Sequence, residues 1–103
     1  MEGRLGVDMG LGKYNLSGRT ALITGASGLL GFEHSAALLE NGADIVLTDI
    51  DYKGLAKTEE SLKQLYKKSN IYSYVMDVTN KDQIIDVKEN LKVNNIELDI
   101  LIN

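Results

Sequence analysis

Thr24-Gly25-Ala26-Ser27-Gly28-Leu29-Leu30-Gly31 decides the fold of this chain. The octapeptide follows an apolar run, Ala21-Leu22-Ile23, and leads into a stretch where Leu29, Phe32, Ala36 and Leu39 recur at helical spacing. A strand that breaks into glycines and restarts as a helix builds a seat for a diphosphate. Gly25 lets the chain turn sharply off the strand, Gly28 lets a ligand approach the backbone, and Gly31 lets the helix pack tightly on the sheet. The helix N-terminus then presents free N–H groups and a partial positive charge to the phosphates. Ser27 is expected to add a hydroxyl donor, and Leu29 and Leu30 belong to the same seat.

Working outward, four apolar runs read as strands: Thr20 to Thr24, Asp44 to Thr48, Ile71 to Met76 and Leu98 to Ile102. Three of them are continuous at their centres (Ala21-Leu22-Ile23, Ile45-Val46-Leu47, Ile100-Leu101-Ile102), which predicts strands covered on both faces. The third run alternates partly, so it is expected near an edge. Helices are expected over Gly28 to Asn41, Tyr52 to Ser69 and Asn80 to Leu91. Asn41-Gly42 supplies a stop for the first, and Thr79 or Asn80 a cap for the third. The order β-α-β-α-β-α-β predicts an α/β fold: a Rossmann-type, doubly wound parallel sheet, partial at four strands, in the order 3-2-1-4. Residues 19–103 form this half-domain, and residues 1–18, with five glycines, read as a loose arm.

A second feature sharpens the glycine loop. Asp49 closes the second strand, 24 positions after Gly25, near the offset of the carboxylate that holds an adenosine ribose. A carboxylate accepts hydrogen bonds from the ribose diol and repels a 2′-phosphate. No basic residue lies in the loop, and Asp49-Ile50-Asp51 follows the strand. The expected ligand is therefore NAD in preference to NADP, although Lys53 lies close by. Asp51 is the alternative ribose partner, but it reads better as a cap for the second helix.

Bulk properties exclude other classes. The chain has 103 residues, a net charge of −4, no cysteine and one histidine. The charge argues against a nucleic-acid or anionic-membrane surface, and one histidine without cysteine argues against a zinc site. No apolar run approaches the ~20 residues of a membrane span, and no Gly-Lys-Ser/Thr follows the loop as in a nucleoside-triphosphate P-loop. The absence of thiols fits a reducing compartment, so a cytoplasmic protein is expected.

Jointly, several motifs resemble the N-terminal half of the short-chain dehydrogenase/reductase family. They are Leu16-Ser17-Gly18-Arg19-Thr20, the loop from Thr24 to Gly31, Asn41-Gly42-Ala43, Asp49, Asp77-Val78 and Leu98-Asp99-Ile100-Leu101-Ile102-Asn103. The last resembles the start of the family's fourth strand, cut after the first Asn of an Asn-Asn-Ala-Gly motif. The resemblance implies that Asp77 bonds the adenine amino group with Val78 beside the ring. Ile50 would pack against the adenine, and Asn103 would border the cofactor. It implies an oxidoreductase that moves hydride between a nicotinamide dinucleotide and an alcohol or ketone, a sugar among the candidates, and a homo-oligomeric full-length protein.

One departure concerns the glycines. They stand as Thr-Gly-x-x-Gly-x-x-Gly, the spacing of the branch with nucleotide-sugar epimerases and dehydratases, whereas the commoner branch has Thr-Gly-x-x-x-Gly-x-Gly. That branch is one alternative, and a non-catalytic dinucleotide-binding module is another. The family's chemistry needs a Tyr with a Lys four positions later, aided by a Ser. Four positions after Tyr14, Tyr52, Tyr66, Tyr72 and Tyr74 stand Gly18, Ala56, Asn70, Met76 and Val78. No catalytic residue is therefore assigned, and the tyrosines read as packing or surface residues. The expectation is the cofactor-binding half of a longer enzyme, one that by itself binds NAD weakly and turns over no substrate.

Overall fold

The computed structural model describes residues 15–103. Seven elements alternate along it: β1 (Thr20–Ile23), α1 (Leu29–Glu40), β2 (Asp44–Asp49), α2 (Tyr52–Leu65), β3 (Ile71–Val75), α3 (Lys81–Val93) and β4 (Ile100–Ile102). The strands form one parallel sheet in the order β3-β2-β1-β4, as the element order predicts. Each crossover carries a helix, because parallel neighbours cannot be joined by a tight turn. The strand order reverses between β1 and β4, which opens a crevice beyond the C-terminal ends of the strands.

Alternation along each strand divides the core into two layers. Ala21, Ile23, Ile45, Leu47 and Ile71 face α1 and α2, where they meet Ala36, Leu38, Leu39, Leu55 and Leu62. Leu22, Val46 and Met76 face the other way, onto Val87 and Leu91 of α3. Burial on both faces holds for β1 and β2. It fails for β4, whose Leu101 is 61% exposed. Its continuous apolar run predicts cover on each side, but β4 is an edge strand and, among the described residues, α3 packs over Leu22 and Val46 without enclosing Leu101.

The helices depart from expectation at their ends. α2 stops at Leu65, four residues short of Ser69, because Tyr66 leaves helical geometry at φ −127°, ψ 71°. Its ring packs against the α1–α2 core, and its hydroxyl donates to Glu40 Oε2 at 3.3 Å. Leu65, the last residue of α2, is exposed, while Thr58 is buried. Asn41 ends α1, and Asn80 is the cap of α3. Of the arm expected over residues 1–18, residues 1–14 lie outside the described residues. Residues 15–18 form a turn held by Leu16 N–H donating to the Asn41 carbonyl at 2.6 Å.

Candidate functional site

The glycine loop carries β1 into α1, and each glycine meets a different demand. Gly25 turns the chain at φ +63°, in the left-handed region where a side chain is strained. Gly31 is required by packing: a Cβ there would lie 2.5 Å from the Gly25 carbonyl oxygen and 2.8 Å from Ala26 Cα. Gly28 has ordinary extended geometry, and a Cβ would meet nothing closer than the Gly25 oxygen at 3.6 Å. Neither backbone nor packing requires glycine at position 28. The space over it remains for something that approaches the backbone.

The start of α1 is also uncapped. No side chain accepts from its first turn, and that turn carries no acidic residue. The first amide to find a helical partner is Phe32, which donates to the Gly28 carbonyl at 3.0 Å. Among the described residues the N–H groups of Leu29, Leu30 and Gly31 have no acceptor. The Leu29 and Leu30 side chains are 79% and 61% exposed. Three open donors at the positive end of a helix, beside a glycine without packing need, are able to donate hydrogen bonds to an anion.

Asp49 lies beside this loop. Its Oδ2 accepts from the Ser27 amide at 2.9 Å and from Ser27 Oγ at 2.7 Å, and its Oδ1 accepts from the Asp51 amide at 2.9 Å. Partial burial pushes the carboxyl pKa up, but the hydrogen bonds from Asp51, Ser27 and Ile50 outweigh it. The group sits below the usual aspartate range and is ionised at neutral pH. The Ser27 hydroxyl, expected to serve a diphosphate, is thus turned onto Asp49. Asp51 caps α2 by accepting from the Gly54 amide at 3.1 Å, as its position predicts.

Asp77 and Val78 follow β3, whose end is tied to β2 by Met76 N–H donating to the Asp49 carbonyl at 2.9 Å. Asp77 Oδ1 accepts from both the amide and the hydroxyl of Thr79. These bonds, the hydroxyl's first, lower its pKa against a small opposing effect of desolvation. Ile50 and Val78 are 66% and 56% exposed, apolar surfaces facing solvent at the same end of the sheet as the loop. Asn103 follows β4 and shares an apolar groove with Thr24, Val78 and Leu101. The structure therefore gathers all the sequence-selected positions at the C-terminal ends of the strands.

Two contacts escape a sequence reading. Thr24 accompanies β4 out of the sheet, its amide and hydroxyl donating to the Ile102 carbonyl at 3.0 and 3.3 Å. Gly54 lies in the first turn of α2, where a Cβ would come within 2.9 Å of Ser27 Cβ. A glycine inside an otherwise good helix former is the only hint of that contact in the sequence. The four described tyrosines are structural or superficial: Tyr66, Tyr72 and Tyr74 pack against the two core layers, and Tyr52 is 70% exposed. Among the described residues no acidic or histidine cluster fits a metal, and no helix is long and apolar enough to cross a membrane.

Comparison with known proteins agrees with this geometry. A relative, the short chain dehydrogenase/reductase dpchG of Colletotrichum higginsianum, is 33% identical over 88 residues, covering 85% of this chain and 32% of its own. NAD+-bound xylitol dehydrogenase superposes with a TM-score of 0.76 at 31% identity, over 84% of this chain and 32% of that enzyme. L-sorbose reductase from Gluconobacter frateurii, complexed with NADPH and L-sorbose, superposes at 0.79 with 27% identity, over 86% and 34%. The chain thus spans about a third of the length of the proteins it matches. The short chain dehydrogenase family model matches residues 19–103, from the strand before the glycine loop to the last residue. With that match over the same strands that carry the loop, Asp49 and Asp77, the chain belongs to the short-chain dehydrogenase family.

Proposed function

We propose that this chain binds the adenosine diphosphate part of NAD for an oxidoreductase acting on an alcohol or ketone of the sugar or polyol class. The observation that carries the reading is the set of unpartnered amides at Leu29, Leu30 and Gly31 over the open backbone of Gly28. A diphosphate would complete the hydrogen bonds that α1 lacks. Asp49, ionised and rigidly held, would take the ribose hydroxyls, and its charge opposes a 2′-phosphate. Ile50 and Val78 offer apolar surface to the adenine, with Asp77 positioned to accept from its amino group and Asn103 bordering the groove. When bound, the dinucleotide supplies a nicotinamide ring that takes or gives hydride.

The neighbours leave the choice of dinucleotide to these residues, since one is an NAD+ complex and the other an NADPH complex. They are a xylitol dehydrogenase and an L-sorbose reductase, a polyol and a ketose enzyme, which supports the substrate class proposed here. The sequence holds no Tyr with a Lys four positions later, so the 103-residue chain is expected to bind without turning over substrate. Isothermal titration of the chain with NAD and NADP tests the reading. Tighter binding of NAD supports it; tighter binding of NADP, or binding of neither, overturns it. Hydride transfer by the chain alone would overturn the assignment of a binding role without catalysis.

A further inference from the structure

The loop and the second strand are joined by one side chain. Ser27 donates twice to the same oxygen of Asp49, through its amide at 2.9 Å and its hydroxyl at 2.7 Å, across 22 residues of sequence. The Asp51 amide holds the other oxygen at 2.9 Å. The approach is close enough to exclude a side chain from the facing turn of α2, where a Cβ on Gly54 would meet both Ser27 Cβ and the Asp51 carboxylate. Donors from two loops therefore fix the plane of one carboxylate, with Oδ2 drawn toward the glycine loop.

We propose that Ser27 is a positioning residue for Asp49 that sets the preference between dinucleotides, and not a ligand of the diphosphate. The proposal rests on the dinucleotide reading above. A carboxylate fixed in place and ionised takes a hydroxyl donor well and opposes a phosphate strongly. Without the Ser27 hydroxyl, Asp49 keeps only backbone donors. It is then freer to swing into solvent, which weakens its hold on a ribose hydroxyl and relaxes its opposition to a 2′-phosphate. The net lowering of its pKa is consistent with the clasp. Among the described residues, Asp51 and Lys53 at the start of α2 and Asp77 after β3 also carry charge near this end of the sheet, so the role of Ser27 is read as a difference between variants.

The two roles separate cleanly, because NAD and NADP share the diphosphate and differ at the 2′ position. In the 103-residue chain, Ser27→Ala is expected to weaken NAD roughly three- to tenfold, the range for one hydrogen bond. NADP should lose nothing, so the NAD/NADP ratio falls by at least the same factor. Equal losses for both dinucleotides would overturn the proposal and return Ser27 to the diphosphate. The ratio is read within one variant, so a lower folded fraction does not move it. In an Asp49→Asn background the same substitution should change neither affinity; a loss of NAD there also overturns it.

A ligand-free measurement separates this inference from the reading beneath it. Carbon-13 NMR titration of the Asp49 carboxyl should give a higher midpoint in Ser27→Ala than in the unaltered chain. An unmoved midpoint overturns the clasp itself. If the unaltered chain binds neither dinucleotide while the midpoint does move, the dinucleotide reading has failed and the role in preference falls with it, although the clasp stands.

Discussion

The start of α1 lacks the side-chain cap that the starts of α2 and α3 have. Asp51 accepts from the Gly54 amide to close α2, and Asn80 accepts from the Gln83 amide at 3.1 Å to close α3. Each of these two caps takes up one first-turn amide with a side chain of the chain's own. α1 begins at Gly28, which has no side chain to give, and leaves three amides open. An uncapped start beside a glycine with room above it is the feature on which the proposed diphosphate seat rests. Using Gly in place of Ser or Asn at such a position costs only a few tenths of a kcal/mol.

The largest test of this contrast is Gly31→Ala. Its Cβ would strike backbone atoms at 2.5 and 2.8 Å that cannot rotate away, so a loss of about 3 kcal/mol is expected in urea unfolding. Gly28→Ser gives α1 the cap it lacks. The extended backbone accepts it without strain, so stability should rise by a few tenths of a kcal/mol. NAD affinity, measured by calorimetry, should fall about tenfold as the hydroxyl occupies the seat. If stability and affinity move together, the contrast is wrong. Asn80→Ala should cost about 1 kcal/mol in the same unfolding assay and change NAD affinity less than twofold.

The smallest effect concerns pH. Asp49, Asp77 and Glu59 all lie below their ordinary values in the folded chain. For Glu59, burial raises the pKa, and the Ser73 hydroxyl at 2.7 Å with Lys63 at 2.9 Å overcomes it. A carboxyl with a depressed folded pKa stabilises the fold fully above its unfolded value and loses that contribution as pH falls through the folded one. Thermal melting should therefore be flat above about pH 5 and decline below about pH 4. In Asp49→Asn the decline should be shallower, and an unchanged slope would remove Asp49 from the acid response.

Most of the architecture is legible in the residues. Three helices, four strands and the order 3-2-1-4 follow from apolar runs and short connections, because parallel strands joined by helices admit few arrangements. Errors gather where a partner distant in sequence intervenes. Tyr66 leaves α2 to reach Glu40, so the helix ends before the polar stretch that follows it. The run Ile100-Leu101-Ile102 looks buried on both sides, yet among the described residues α3 packs over Leu22 and Val46 and leaves Leu101 exposed. The candidate site shows the same division: every position chosen from sequence lies at one end of the sheet, while the bond from Thr24 to β4 and the approach of Gly54 to Ser27 appear only in three dimensions.

The octapeptide by itself determined the local event, a strand that turns at Gly25 and restarts as an uncapped helix, because φ at Gly25 and the missing side chain at Gly28 are properties of those residues alone. Asp49 was likewise marked by its place after an apolar run. What the Ser27 hydroxyl does was decided only in three dimensions. Parallel pairing of Ile23 with Leu47 carries the two loops to the same end of the sheet, and Gly54 lets α2 close on them. Short-range sequence specifies backbone shape and an expected donor; the acceptor that donor finds depends on which strands are neighbours.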